Sequence, residues 1–123
     1  MAVRSKVKRL TFEDVEKVGL TLPGVEVGTS WGTSALKLHG KMIACTPTNK
    51  QAEPDSLVVC IDLPQRDELL AAEPDVYYVK PHYEDYPCVL ARLKNIHPDA
   101  LRDLIRMAWE YRDAKEKRTR KRR

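Results

Sequence analysis

GVEVGTSWGTSALKLHGK, Gly24 to Lys41, changes its hydrophobic parity partway along. Val25, Val27 and Trp31 fall on odd positions, whereas Leu36 and Leu38 fall on even ones. Side chains alternate between the two faces of a strand, so one continuous strand cannot bury both sets on a single face. The chain must turn or bulge near Gly32-Thr33-Ser34. A second turn follows at His39-Gly40-Lys41, a tight-hairpin sequence. Ile43 and Cys45 then return on the face of Leu36 and Leu38. The segment therefore reads as three successive antiparallel strands. Trp31 lies between Gly28 and Gly32 and is expected to close the first strand. Its indole is expected to be buried across bare backbone, with its N–H given to a carbonyl. The alternative is an exposed stacking platform for a base or ligand.

Working outward, Thr11 with Asp14 three residues on forms a helix-capping pattern. Phe12, Val15 and Val18 recur at helical spacing before Gly19 and Leu22-Pro23-Gly24 stop the run. This predicts a helix over about 12–20. "TPTNKQAEPD" (Thr46 to Asp55) is a polar loop, and "SLVVCID" (Ser56 to Asp62) is apolar on both parities, as in a central strand buried on both faces. Asp62 caps a short helix with Pro64 in its first turn. "VYYVK" (Val76 to Lys80) and "CVLARL" (Cys88 to Leu93) read as two further strands joined by "PHYEDYP". From Pro98, Leu101, Leu104, Ile105 and Ala108 form the apolar stripe of a last helix that can run into the basic tail. No series of long parallel crossovers occurs. The expected fold is α+β: a two-layer sandwich with an antiparallel sheet of five to six strands and helices mainly on one face.

The chain has 123 residues, 42% hydrophobic and 33% charged, enough for one domain with its own core. No apolar run reaches membrane length, and the N-terminus lacks the apolar stretch of a signal peptide, so a cytoplasmic location is expected. Cys45, Cys60 and Cys88 are odd in number, widely spaced and set in apolar runs, which predicts buried, reduced thiols. Neither a metal nor a cofactor is expected. The net charge of +4 is unevenly spread. Arg4, Lys6, Lys8 and Arg9 make residues 1–10 a basic arm. Lys115, Lys117, Arg118, Arg120, Lys121, Arg122 and Arg123, against Glu116, make 115–123 a basic tail. With +4 on the first ten residues and +6 on the last nine, the intervening residues 11–114, the expected single domain, carry −6.

"LPGVEVGTSWGTSALKLHGKMIA", "DSLVVCIDL" and "RDELLAAEPDVYYVKPHYEDYPCVLARL", with the closing helix, resemble the MmcQ/YjbR-like family. The likeness runs over about 20 to 112. Its most specific parts are Gly28 to Gly32 and His82-Tyr83 followed by Tyr86-Pro87. The resemblance implies an α+β fold with an antiparallel sheet, similar to CyaY and to secretion chaperones. It also implies DNA binding, with loops between strands proposed as paired wings.

Two surfaces are candidates for function. The eleven cations of the two ends can bind DNA or RNA through phosphate contacts, which position a nucleic acid without reading its sequence. The acidic body would add little to that attraction. The second candidate is Trp31 together with "KPHYEDYPC", in which Lys80, His82, Tyr83 and Tyr86 could contact a small ligand or a protein partner. The simpler expectation there is a loop whose tyrosines cover the end of the sheet. No HExxH, P-loop, GxGxxG or GxSxG pattern is present, and no enzyme activity is expected. Nucleic-acid association is the leading expectation, with a ligand- or protein-binding adaptor as the alternative. A concave surface uniting Trp31, His82 and Tyr83 would favour the latter.

Overall fold

The computed structural model describes residues 9–121. Helix α1 (Phe12–Gly19) opens the fold, capped where the Asp14 carboxylate accepts the Thr11 backbone N–H at 2.8 Å. Strands β1 (Glu26–Ser30), β2 (Thr33–Leu38) and β3 (Lys41–Cys45) follow as two hairpins. Each hairpin turns in two residues. Trp31 and Gly32 have φ of 56° and 80°, and His39 and Gly40 have φ of 55° and 77°. Two consecutive positive φ values are the signature of the turn that matches the right-handed twist of paired strands.

The parity switch thus arises where the sequence placed it, but one step earlier, and Trp31 is a turn residue rather than the last residue of a strand. A β-bulge adds to it. Leu36 faces Ala44 and Lys37 faces Met42, so Ile43 is the extra residue. Ile43 and Ala44 both join the helix-side core as a result.

Strand β4 (Ser56–Cys60) is buried along its whole length and lies between β3 and a later strand, as an apolar run on both parities requires. Helix α2 (Leu63–Ala72) starts at Asp62, whose carboxylate accepts the Gln65 N–H at 2.8 Å. Strand β5 is only Tyr77–Tyr78. The segment expected to be a plain connection holds one helical turn, α3 (Pro81–Glu84). Proline fixes φ for a first helical turn and so favours this start. Strand β6 (Cys88–Arg92) pairs with both β4 and β5, giving the sheet order β1-β2-β3-β4-β6-β5, antiparallel throughout. Helix α4 (Pro98–Lys121) is 24 residues long and continues through the basic segment.

The larger core lies between one sheet face and the helices. Val15 of α1 and Leu101, Leu104, Ile105 and Ala108 of α4 pack with Leu36, Leu57, Val59 and Val89. Leu10, at the end of the basic arm, is buried in this core. Gly19 lets α1 approach β2, since a Cβ there would stand 2.5 Å from a Leu36 methyl. The opposite sheet face carries a smaller cluster of Ala35, Cys45, Val58, Cys88 and Leu90, covered in part by Tyr78 and Tyr83. The helices therefore lie mainly on one face, and the other face is left incompletely covered over β3 and β4.

Candidate functional site

That second face forms the floor of a cleft of about 570 Å³. Met42, Cys45, Val58 and Cys60 supply an apolar base. One side is the turn bearing Trp31, tied down where the Thr33 hydroxyl donates to the carbonyls of Ser30 and Thr46, each at 2.9 Å. Another side is α3 and its following loop, which bring His82, Tyr83 and Tyr86. The segment Thr46 to Asn49 closes a third side, and Arg112 of α4 reaches the cleft beside Met42 and Cys60.

Trp31 contradicts the core expectation. Its side chain is 85% exposed, at a left-handed backbone position that bulky residues rarely adopt. Tyr86, in the loop after α3, is 57% exposed. Two exposed aromatics thus border an apolar floor. Tyr83 is buried beneath α3, and burial raises its hydroxyl pKa, opposed by a hydrogen bond with the Asn49 backbone. The His82 ring meets Tyr83 edge-on at 4.8 Å and Tyr86 at a tilt at 6.2 Å. Its backbone N–H donates to Gln51 Oε1 at 3.0 Å, which joins α3 to the facing loop. Four of the five ligand candidates from the sequence therefore converge. Lys80 does not: it caps the start of α3, and its ammonium lies 5.9 Å from the centre of the Tyr78 ring, outside the cleft.

Three arginines build and finish the site, and sequence patterning singled out none of them. Arg66 of α2 donates to the carbonyls of Glu84, Tyr86 and Cys88, each at 3.2 Å, and so fixes the Tyr86 loop. Arg92 of β6 grips Glu53 with two hydrogen bonds of 2.8 Å and lies 4.3 Å over the Tyr78 ring. This pairing holds the Glu53 carboxyl below its ordinary pKa, with the Arg92 hydrogen bond as the main cause. Glu53 N–H also donates to the Tyr78 hydroxyl at 2.8 Å, so the loop from 46 to 55 is clasped to the sheet at several points. Arg112 donates through Nη2 to the Met42 carbonyl at 3.2 Å. Its Nε is buried without a hydrogen-bond partner among the described residues. Arginines scattered through polar segments carry no motif, and only the folded contacts distinguish these three.

The cysteines are free and buried. Burial pushes the Cys45 thiol up to about 11 and the Cys88 thiol up to about 12, and raises that of Cys60 against the pull of nearby Arg112. At neutral pH these are protonated thiols and poor nucleophiles. Among the described residues, no group of three or more His, Cys, Asp or Glu side chains is placed to hold a metal ion. No described helix is long and apolar enough to cross a membrane.

A second cavity, of about 400 Å³, lies between Leu10–Phe12 and the loop from 46 to 56. Its charges are already engaged: Arg9 stands 3.8 Å from Asp55, and Glu53 is held by Arg92. Of the basic ends, Lys115, Lys117 and Arg118 are exposed on α4. Lys117 pairs with Asp113 at 3.3 Å. Arg4, Lys6, Lys8, Arg122 and Arg123 lie outside the described residues, as do the side chains of Arg120 and Lys121.

Comparison with known proteins agrees with this architecture. A crystal structure of a DUF419-domain protein of Deinococcus radiodurans superposes with a TM-score of 0.65 over 82% of this chain and 77% of that one, at 21% identity. Uncharacterized proteins of Mycobacterium bovis and Mycobacterium tuberculosis are 49% identical over 41 residues. That match spans 33% of this chain and 32% of theirs, so it covers about a third of the length of these relatives. The YjbR family model matches residues 20–111, from the end of α1 to within α4, and so contains every cleft-lining residue except Arg112. The chain belongs to the YjbR family.

Proposed function

We propose that this chain is a binding module whose site is the cleft on the second face of the sheet, and that its ligand is a small molecule with a flat apolar body. The observation that carries the reading is the convergence of Trp31, His82, Tyr83 and Tyr86 on one concavity of about 570 Å³. Small-ligand sites are concave, mostly apolar and of this size, with few polar groups. An exposed Trp held at a strained turn position supports a role for the side chain outside the core. The His82 ring faces two tyrosine rings, and no carboxylate is paired with it among the described residues, which supports a binder over an acid–base catalyst. Three protonated thiols suit a reducing, cytoplasmic setting.

The test is a fragment titration followed by nuclear magnetic resonance on the full chain. Flat aromatic fragments should shift the Trp31 indole signal and the amides of Asn49 and Tyr86. Trp31→Ala should weaken those fragments about tenfold, the scale of one lost aromatic contact. Shifts confined to other surfaces would overturn the assignment.

Nucleic-acid binding is the second reading. It is favoured by the continuation of α4 as a helix to Lys121, which carries Lys115, Lys117 and Arg118 into solvent as a cationic rod. The loop from 46 to 55, the most wing-like by position, supports it less. That loop has one base, Lys50, and is clasped back onto the sheet through Gln51 and Glu53. A DNA and RNA titration at two salt concentrations measures this reading directly, because phosphate contacts are lost as salt rises.

A further inference from the structure

The charges lining the cleft are one-sided in an otherwise acidic body. Arg112 is the only formally charged lysine, arginine or carboxylate residue among the lining residues, and no carboxylate joins it. Other arginines near the sheet make more contacts: Arg92 grips the Glu53 carboxylate, and Arg66, although its Nε is also buried without a partner, donates to three carbonyls. Arg112 donates to one carbonyl, lies beside the Cys60 thiol, leaves Nε without a hydrogen-bond partner, and has no carboxylate within ion-pair distance among the described residues. The neighbouring Asp113 is taken by His39 at 3.2 Å and Lys117 at 3.3 Å. A half-buried guanidinium without a counter-ion is costly to desolvate, and an incoming anion would offset that cost. Guanidinium geometry also suits an oxyanion, with parallel N–H donors set in a plane.

The position of Arg112 gives the ligand a direction. Its contact is Met42, near the start of β3, whereas the Trp31 turn is tied to Thr46, just past the end of β3. Three residues of strand, Ile43 to Cys45, lie between them, a span on the order of 10 Å. Between them lies the apolar floor of Cys45, Val58 and Cys60.

Resting on the cleft reading above, we propose that the ligand is a small amphipathic anion. Its flat apolar body lies over β3 and β4 beside Trp31, and its terminal oxyanion, a carboxylate, sulfonate or phosphate, pairs with Arg112. The test uses two fluorescent probes on the full chain: 1-anilinonaphthalene-8-sulfonate, and N-phenyl-1-naphthylamine, which has the same rings and no sulfonate. The sulfonate should bind at least about tenfold tighter, the scale of a charge-assisted hydrogen bond in a partly buried site. Arg112→Gln should bring the affinity ratio of the two probes close to one, whereas Arg112→Lys should restore part of the sulfonate's advantage. Raising the salt concentration on the unmutated protein should weaken the sulfonate alone, a readout that needs no variant to fold. Trp31→Ala should weaken both probes. Equal affinities for the two probes, together with indifference to Arg112→Gln and to salt, would overturn the anion assignment and leave the cleft reading standing. Absence of binding by both probes, or binding of both that ignores Trp31→Ala and Tyr86→Ala, would overturn the cleft reading itself.

Discussion

Trp31 occupies the first central position of a two-residue turn at φ 56°, followed by Gly32 at φ 80°. Asn-Gly is the preferred pair for such a turn, and a left-handed conformation costs a bulky L-residue about 1–2 kcal/mol. The exposed indole recovers little of this through burial. Trp31→Asn should therefore stabilise the protein by about 1 kcal/mol, read as a higher denaturant midpoint at unchanged slope. The same substitution should abolish the aromatic contribution to ligand binding. A loss of stability of several kcal/mol would instead show that the side chain is packed. The parity of Val25, Val27, Leu36 and Leu38 made the chain reversal legible in the sequence. It could not show which residues turn, because a Trp in a left-handed turn position defies local preference, as residues at functional sites do. The thiols behave oppositely: their apolar neighbours announced burial, and Cys45, Cys60 and Cys88 are buried. With Cys45 at about 11 and Cys88 at about 12, iodoacetamide at pH 8 should label the native protein slowly at these sites. Unfolding should release all three cysteines to rapid reaction. Fast labelling of the native chain would revive a nucleophilic role.

At the scale of elements, one wall of the cleft depends on a loop with no regular structure of its own. Residues 46 to 55 are held by Arg92–Glu53, by Glu53 N–H on Tyr78, and by Gln51 on the start of α3. The sequence showed a polar, proline-containing loop and an aromatic-rich connection. It did not show that they clasp each other, because the clasp is made by contacts between residues 25 to 39 positions apart. Arg92 lowers the pKa of Glu53, so the ion pair stabilises the fold above the ordinary glutamate pKa of about 4.3 and is lost as pH falls through the lower folded value. Protection factors of the Gln51, Ala52 and Glu53 amides, corrected for the intrinsic slowing of exchange in acid, should accordingly fall on acidification in the unmutated chain. Glu53→Gln should show faster exchange already at pH 7 and a smaller further change in acid, and the same variant should loosen probe binding in the cleft. Exchange rates in these amides that are the same for both proteins at pH 7 would show that the remaining hydrogen bonds suffice.

At the scale of the whole molecule, α4 connects the two proposed activities. Its apolar stripe lies in the core as far as Ala108, and three polar contacts then tie successive turns to the sheet side. Trp109 Nε1 donates to the Pro23 carbonyl at 2.8 Å, Arg112 reaches Met42, and Asp113 meets His39. Beyond Asp113 no α4 side chain among the described residues joins either core cluster. The absence of an apolar stripe after residue 109 made this boundary visible in the sequence, whereas the helical continuation to Lys121 follows from lysine- and arginine-rich helix propensity. Deleting Lys115 to Arg123 should consequently leave the fold intact, with a melting temperature within a few degrees of the full chain. It removes seven cations and one acid and changes the net charge from +4 to −2. If nucleic acid binds through this end, affinity should fall and its dependence on salt should flatten. A loss of four phosphate contacts reduces the log–log slope by roughly 3.6 on duplex DNA. Arg112 and Trp31 remain in the truncated chain, so the anionic naphthalene probe should bind it as before. The two readings therefore separate in a single variant: unchanged probe binding with weakened DNA and RNA binding places nucleic-acid contacts on the helix end. Undiminished nucleic-acid affinity and slope would move those contacts onto the body, despite its −6 charge. Loss of probe binding alone would mean that the end of α4 shapes the cleft, and would assign the basic helix to the same site as Arg112.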